Sequence, residues 1–336
     1  MACRDTGDDQ MIDLIPSSEQ GAIAEGVADF LREHFPIDRL RHSRGTVDDN
    51  WVDLAQLGAF GVSVPEESGG IGLGVVEDVL VFREFGRHLV SPAAIGTRVA
   101  AIAAAANGQE ALCRDLLKGR RRAGLATPAG SGVQLLEVGT GDLCVAISGE
   151  ILQVFDTDQL ADREELFALD ETLTLARGRL GKAPLITVTD RSLVLSVRLL
   201  AAAMLCGVLD VTRDMAVDYA RTRQQFGVPI GVFQGIKHPC ADIALAAEEA
   251  WSQVAYASLM LEAELPSAAF DVTAAKFVAG DNALVSARAN IQIHGGMGFT
   301  DEVDAQLLLK RVHVLHQLFD DPRLVRQSLL ELPLEI

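Results

Sequence analysis

The sequence predicts an α+β fold in which a small β-rich region lies between two helical regions. Hydrophobic residues make up 49% of the 336 residues, but aromatic residues make up only 5%. This aliphatic composition favours packed helices over a β-sandwich. Short β-branched runs separated by Gly and Asp occur only in the middle of the chain. We therefore predict a helical domain at 1–120, a reduced β-domain at 121–190 and a helical bundle at 191–336.

The first region contains helices with recognisable starts and ends. Ser17 or Ser18 is suited to cap a helix, because a short hydroxyl side chain precedes an apolar face with helical spacing. A glycine-rich loop at 65–74 precedes another amphipathic segment at 75–89. These patterns predict helices joined by tight turns.

The middle and last regions differ in periodicity. Runs at 143–148 and 151–155 predict a small, irregular β-region. Beyond it, long apolar segments predict helices at about 192–223, 235–264 and 270–294. The sequence therefore ends in a bundle of long helices.

Charge and composition exclude several classes of protein. The formal net charge of −18 argues against nucleic acid or an anionic membrane as partner. The longest apolar run, 193–209, contains Arg198 and is short for a membrane span, so a buried helix is predicted. The N-terminus lacks the apolar core of a signal peptide. Five cysteines without CxxC spacing indicate reduced thiols, so the predicted location is cytoplasmic.

Two segments carry residues suited to bind a cofactor: YARTRQQFGVPIGVFQGIKHP at 219–239 and QIHGGMGF at 292–299. Arg223 has a planar cationic group that suits a pyrophosphate. Phe226 follows the predicted helix and can pack against a flat ring, and Gly227 is predicted to end that helix. The alternative is an arginine that interacts only with the helix dipole.

The second segment combines an amide with bare backbone. Gln292 offers hydrogen bonds to a ligand, and Gly295 with Gly296 allows the backbone to approach that ligand closely. The alternative is a plain junction between a helix and a loop. His294 is predicted to be a local hydrogen-bonding residue rather than a base.

Together the two segments resemble the cofactor signature of the acyl-CoA dehydrogenase family of flavoproteins. The helical, β, helical order resembles that family's fold, which has an N-terminal helical domain, a middle β-domain (here shortened) and a C-terminal four-helix bundle. The resemblance covers most of the chain and implies FAD as cofactor. In the family, both motifs contact the flavin dinucleotide that the neighbouring subunit holds. The FAD contacts that the resemblance implies here are Arg223, Gln225, Phe226, Gln234, Gln292, Gly295 and Gly296.

The family's catalytic base is absent at the matching positions. That base is a Glu, which removes the α-proton of an acyl thioester while hydride leaves the β-carbon for the flavin. The resemblance places the base at Phe319 in one arrangement and at Val197 in the other, and neither side chain accepts a proton.

Two aspartates and one arginine near these positions have alternative roles. If the alignment with the family's motif is shifted by one or two residues, Asp320 or Asp321 takes the position of the base. However, Asp321 followed by Pro322 predicts the start of a helix. Arg198 matches an arginine that shapes the family's substrate pocket. The alternative is an arginine on the helix whose hydrogen bonds are satisfied and which has only a structural role.

The motifs that contact the flavin ring in the family are also altered. The segment LATPAGSGVQ at 125–134 has no Glu before Pro128 and no Asp after Ser131. The family's tryptophan-containing strand has no counterpart, because Trp51 and Trp251 lie elsewhere in the chain. The resemblance therefore implies a subunit that does not itself hold a flavin ring.

These features predict a subunit that completes the FAD site of a full-length acyl-CoA dehydrogenase partner. Such α2β2 assemblies in the family desaturate CoA thioesters of steroid side chains, so an acyl-CoA of this kind is the implied substrate. The implied electron acceptor is electron-transfer flavoprotein or a similar protein. Two alternatives stay open: a homo-oligomeric enzyme with Asp320 or Asp321 as base, and a non-catalytic structural homologue that binds no flavin.

Overall fold

Long helices at both ends of the chain enclose one larger β-sheet. The computed structural model describes residues 2–3, 12–42, 50–139, 142–181, 183–319 and 321–332. The helices in these ranges are α1 Ser18–His34, α2 Trp51–Gln56, α3 Val75–Arg87, α4 Ala93–Ala106, α5 Glu110–Leu117, α6 Arg191–Thr222, α7 Gln234–Glu262, α8 Ala268–His294, α9 Ala305–Gln317 and α10 Pro322–Glu331. The strands are β1 Ala2–Cys3, β2 Ile12–Asp13, β3 Ala123–Ala129, β4 Gly132–Leu136, β5 Leu143–Ser148, β6 Ile151–Asp156, β7 Ala161–Leu166, β8 Leu175–Arg179, β9 Ile186–Thr189, β10 Gln224–Gln225 and β11 Val228–Pro229.

The first helix begins at the predicted cap. The Ser17 side chain accepts a hydrogen bond from the Gln20 backbone N–H, and the Gln20 side chain accepts one from the Ser17 backbone N–H. This reciprocal pair satisfies two N–H groups that the first turn leaves unpaired. The predicted cap at Ser17 or Ser18 is confirmed, and Ser17 is the residue that forms it.

Helices α3 and α6 cross at the closest distance that backbones allow. A Cβ added at Gly86 would collide with the backbone of Met204, and one added at Gly207 would collide with the carbonyl of Arg83. Only glycine permits this approach. The crossing holds the N-terminal helices against the bundle.

The β-region is more regular than the sequence predicts. Seven strands form one sheet in the order β7-β8-β4-β3-β5-β6-β9, and only the β3–β5 pair is parallel. Strands β3 and β4 meet in a hairpin at Gly130, whose φ is +58°. Sequence patterns missed β3, β4, β7 and β8, because their residues are small or charged rather than β-branched.

Four long helices, α6 to α9, pack together after the sheet, and α10 packs on α8, which confirms the predicted bundle. In the described part of the chain, α6 is long and apolar enough to span a membrane. However, 89% of its most apolar window is buried within the fold, so it is the core helix of the bundle.

A buried arginine joins α9 to the other two regions. Arg311 is 1% exposed and pairs with Asp170 at 2.7 Å. Its guanidinium also donates to the carbonyl oxygens of Leu89 and Val90 and to the Thr172 hydroxyl. One side chain therefore fixes α9 against the sheet region and against the turn that precedes α4.

Candidate functional site: the helix ends that carry the cofactor motifs

Three helix ends meet at one end of the bundle and bring the two predicted motifs together. A small core cluster joins the C-terminal turn of α6, the first half of α7 and the C-terminal turn of α8 through Ala216, Ile243 and Ile293. Arg223 follows α6, Gln234 begins α7, and Gln292 lies in the last turn of α8. Residues far apart in sequence therefore share one surface.

An aromatic stack fixes α6 against α8 beside this surface. The rings of Tyr219 and His294 lie 4.1 Å apart, centroid to centroid, at an angle of 26°. His294 is 5% exposed, and its Nδ1 donates to the carbonyl oxygen of Asn290 at 2.8 Å. The histidine is thus a buried positioning residue, in agreement with the local role predicted for it.

Arg223 is exposed and directed away from the helix. Helix α6 ends at Thr222, and Arg223 has extended backbone angles of −70° and 126°. Its carbonyl oxygen accepts a hydrogen bond from the Ile230 N–H at 2.8 Å, which fixes the following loop. No ion pair or hydrogen bond of its guanidinium is found among the described residues. The cation is therefore available to a ligand.

The loop after Arg223 corrects the prediction for Gly227. Gly227 does not end the helix; it lies in the two-residue turn of the β10–β11 hairpin. Phe226 and Gly227 have φ values of +54° and +79°, the pattern of a type I′ turn that favours glycine at its second position. Phe226 is consequently 91% exposed, with Phe233 as an edge-on neighbour at 6.0 Å, and Gln225 is exposed beside it.

The start of α7 provides a positive helix end. The N-cap residue, Phe233, has no side chain that can cap the first N–H groups, and Gln234 and Gly235 are exposed. The N-terminus of a long helix carries a partial positive charge that attracts anions. Ile236, in the first turn of α7, packs on the same small core cluster as Tyr219, which lies one turn before Arg223.

The glycines after Gln292 leave bare backbone on the surface. Gly295 has a φ of +61°, a conformation that other residues resist. A Cβ added at Gly295 or Gly296 would meet no atom within 4 Å in this chain. Packing within the chain therefore does not explain a second glycine at Gly296, and open space lies above it.

The interior of α6 is closely packed, in contrast to its exposed end. Val197 is fully buried, and the hydroxyl of its neighbour Ser196 accepts a hydrogen bond from Arg98 at 2.8 Å. Arg98 also pairs with Asp78, which is fully buried on α3. Burial raises the pKa of Asp78, and the charge of Arg98 opposes that rise. A structural ion pair thus contacts α6 at Ser196, the sequence neighbour of Val197.

Matches to known proteins identify the family. The family model for the acyl-CoA dehydrogenase N-terminal domain matches residues 17–120, and the model for the C-terminal domain matches residues 190–318. The acyl-CoA dehydrogenase IpdE2 of Mycolicibacterium smegmatis is 31% identical over 317 residues, which cover 91% of this chain and 96% of that protein. The chain belongs to the acyl-CoA dehydrogenase family.

Solved structures show the same fold. The ChsE4–ChsE5 complex from Mycobacterium tuberculosis matches with a TM-score of 0.80 and 21% identity, over 95% of this chain and 98% of that one. A variant of the Tcur3481–Tcur3483 steroid ACAD matches with a TM-score of 0.76 and 23% identity, over 94% and 97% of the two chains. Family membership supports an FAD-dependent oxidoreductase that acts on acyl-CoA.

The exposed helix ends of this acyl-CoA dehydrogenase fit one end of FAD. A pyrophosphate needs cationic or N–H donors, and the surface offers the Arg223 guanidinium, the Gln234 and Gln292 amides and the positive end of α7. The bare backbone at Gly296 leaves room for close approach. This donor set suits the pyrophosphate and the adenosine of the dinucleotide.

Among the described residues, the sheet borders a small cavity on the side of α9. The cavity between Thr127 on β3 and His313 on α9 has a volume of only about 190 Å³. A cavity of about 150 Å³ holds a single benzene ring, so this cavity is closer in size to one ring than to the three fused rings of a flavin. Residues 125–129 of β3 pair with the whole of β4, which occupies backbone groups on their shared edge.

The structure also shows the positions predicted for a base. Val197 is fully buried in the apolar core, and Phe319, with a φ of +75°, lies beyond α9. The Asp321 carboxylate accepts a hydrogen bond from the Arg323 N–H at 2.8 Å, so it caps α10 as the sequence predicts. Asp320 lies outside the described residues. Arg198 is half-buried on α6.

Sequence reasoning missed two positioning residues. The Tyr219–His294 stack has a weak signal, an aromatic residue one turn before the arginine motif. Lys276 is 2% exposed, and its Nζ donates to the carbonyl oxygens of Leu315 and His316, both at 2.9 Å. The available signal was a single lysine in an alanine-rich helix. Lys276 fixes the last turn of α9.

Proposed function

We propose that this chain is a base-lacking subunit of an FAD-dependent acyl-CoA dehydrogenase and completes the FAD site of a full-length partner subunit. The observation that carries the proposal is the exposed Arg223, whose guanidinium has no partner among the described residues, beside Gln234, Gln292 and the bare backbone of Gly296. A chain with no cofactor to contact has no physical need for this combination.

Each of these residues has a defined task in the proposal. Arg223 donates paired hydrogen bonds to the pyrophosphate, and the Gln234 and Gln292 amides orient the adenosine end. Phe226, at the tip of its hairpin, covers apolar parts of the dinucleotide and excludes water. FAD, when bound, supplies the hydride acceptor for α,β-desaturation of the acyl thioester. The partner contributes the ring pocket and the Glu that removes the α-proton.

The surface around the motifs supports a partner subunit. Phe226 and Phe299 are 91% and 76% exposed, and Leu245 and Val285 on α7 and α8 are 69% and 67% exposed. Phe226 and Phe299 belong to the motif segments themselves, and exposed apolar side chains beside a ligand site are typical of a protein interface. A full-length subunit that brings the other half of the FAD site would cover them.

The proposed substrate is a bulky acyl-CoA thioester, such as the CoA ester of a steroid side chain. One structure with the same fold is a steroid ACAD, and another is a complex of two named chains. An assembly with one flavin site per pair of chains has more room for a bulky acyl group. Electrons would pass to electron-transfer flavoprotein or a similar acceptor. The free thiols of Cys113, Cys144 and Cys206 agree with a cytoplasmic location.

The flavin stoichiometry tests the proposal. The chain is purified alone and together with a full-length family subunit encoded beside it, and flavin absorbance is compared with protein mass. We expect colourless protein from the chain alone and one flavin per two chains in the complex. Flavin bound by the chain alone would instead favour the homo-oligomeric enzyme with Asp320 or Asp321 as base.

Replacement of Arg223 tests its contact with the cofactor. Arg223→Ala should weaken FAD binding by the complex by about 10- to 100-fold, because hydrogen bonds to charged groups contribute about 1.5–3 kcal/mol. Arg221→Ala is a matched control, since Arg221 is also exposed in the last turn of α6. Equal flavin content in both variants would favour the non-catalytic structural homologue.

A further inference from the structure

The β10–β11 hairpin and the turn that follows it present an uncharged, apolar surface to solvent. No charged residue occurs between positions 224 and 236, although 23% of the chain is charged. Four large apolar side chains of this segment are exposed: Phe226 at 91%, Val228 at 38%, Val232 at 52% and Phe233 at 39%. The central parts of protein interfaces are depleted of charge and enriched in aromatic residues. The segment therefore has the composition of an interface core.

Phe226 has a backbone conformation that does not suit its side chain. Its φ is +54°, and bulky residues rarely adopt a positive φ. The first central position of a type I′ turn favours Asn, Asp or Gly, so an asparagine before Gly227 would fit this turn better than a phenylalanine. The Phe226 ring meets Phe233 edge-on at 6.0 Å, yet the residue is 91% exposed. Folding of this chain alone does not account for a phenylalanine at the tip.

The base of the hairpin is fixed to the bundle, so its tip has a defined position. Ile230 is 8% exposed, and its N–H donates to the carbonyl oxygen of Arg223 at 2.8 Å. A Cβ added at Gly231 would lie 3.0 Å from the carbonyl oxygen of Ala220 on α6. A surface that is already held in one conformation loses less entropy when a partner binds it.

The position of the segment indicates what covers it. It runs from Arg223 to Gln234, and both residues belong to the proposed FAD contacts. A subunit that brings an FAD molecule to both ends of the segment also covers the apolar side chains between them.

We propose that this hairpin docks into an uncharged, apolar pocket on the full-length partner subunit, and that Phe226 is the anchor of the complex. The inference rests on the proposed function and extends it, because the hairpin binds the partner protein whether or not FAD is present. Strain at the tip is the consequence: the residue at 226 suits docking rather than the turn.

The affinity of the full chain for the partner subunit tests the anchor. Surface plasmon resonance with immobilised partner, with and without added FAD, measures the dissociation constant. Phe226→Asn should raise that constant by about 30-fold or more in both conditions, as expected for a central aromatic residue of an interface. Phe167→Asn is the matched control, because Phe167 is 85% exposed on the loop after β7. Its replacement should change the constant by less than about twofold.

The same substitution should have the opposite effect on the chain by itself. Phe226→Asn creates the Asn-Gly pair that a type I′ turn prefers, so the midpoint of thermal unfolding of the chain alone should rise by about 1–3 °C. Phe226→Ala also removes the ring, but alanine resists a positive φ as well. We expect it to weaken docking to a similar extent without raising the midpoint.

Four results would overturn the inference. Equal affinity of the unmodified chain and Phe226→Asn would do so, and the proposed function would survive if the complex still held one flavin per two chains. A loss of affinity only in the presence of FAD would assign Phe226 to the cofactor rather than to the partner. Self-association of the chain alone that Phe226→Asn abolishes would identify a second copy as the occupant. An unfolding midpoint that does not rise in Phe226→Asn would contradict the strain.

A different combination separates this inference from the proposed function. Loss of docking in Phe226→Asn together with full flavin content in Arg223→Ala would support the hairpin as anchor and would overturn the role of Arg223 in cofactor binding.

Discussion

The two ends of helix α6 present opposite surroundings. Around Val197 the helix is enclosed by core side chains, and the adjacent Ser196 contacts the buried pair of Arg98 and Asp78. After Thr222 the chain emerges into solvent, where the Arg223 guanidinium has no partner in the described residues. Groups that contact a neighbouring subunit must be exposed, as Arg223 is, whereas core packing occupies the middle of α6.

Loss of the buried Arg98–Asp78 pair has the largest expected effect, and that effect is on the stability of the fold. Arg98→Met should lower the free energy of unfolding by about 3–5 kcal/mol, because it leaves the Asp78 carboxylate buried without a cation. Urea unfolding at pH 7 measures this loss. Arg177→Met is the matched control: Arg177 pairs with Glu164 on the surface, and its loss should cost less than about 1 kcal/mol.

The pH dependence of the Arg98→Met variant sharpens the test. Burial already raises the pKa of Asp78 above its usual value, and removal of Arg98 raises it further. A carboxyl group whose pKa is higher in the folded state than in the unfolded state destabilises the fold as pH rises through that interval. The deficit of the variant should therefore shrink as the pH is lowered from 7 towards 4. A deficit that is constant over this range would contradict an uncompensated Asp78 charge.

Variants of the two adjacent glycines of the second motif distinguish an effect on folding from an effect on ligand binding. Gly295→Ala should destabilise the chain by about 1–3 kcal/mol, because Gly295 has a backbone conformation that alanine resists. Gly296→Ala should change stability by less than about 0.5 kcal/mol, since its Cβ would meet no atom of this chain. Thermal unfolding measures both effects.

The same pair then tests where the ligand lies. If the FAD of a partner subunit approaches the backbone at Gly296, Gly296→Ala should reduce the flavin content of the complex while the variant stays folded. Full flavin content in that variant would show that the open space above Gly296 is not used by the cofactor.

The sequence predicted the helical ends of the fold better than its middle. The helical spacing of apolar residues predicted the bounds of α6, α7 and α8 to within two residues, because burial of one face determines a long helix. The sheet was predicted only where β-branched runs occur, as in β5. Strand β7 is mostly charged and exposed, and its pairing with β8 determines its structure.

The candidate site was predictable in composition but not in geometry. Arg223 and Gln292 stand out by residue type, yet their shared surface depends on packing between helix ends that no local pattern encodes. The role of Gly227 was wrong, because a glycine after a helix is compatible with either a helix end or a hairpin turn. The Arg98–Asp78 pair joins different helices and left no signal in local sequence.

The smallest expected effect concerns the link between the two motif helices. Tyr219→Leu and His294→Leu should each destabilise the chain, and a double-mutant cycle should give a coupling of about 0.5–1.5 kcal/mol for the stacked rings. If the stack also positions Arg223 relative to Gln292, either variant should weaken FAD binding by the complex although neither side chain belongs to the proposed contacts. A coupling near zero would mean that the core cluster of Ala216, Ile243 and Ile293 alone holds the motifs together. In that case the exposed surface would be a consequence of helix packing, and the ring stack would contribute only to burial.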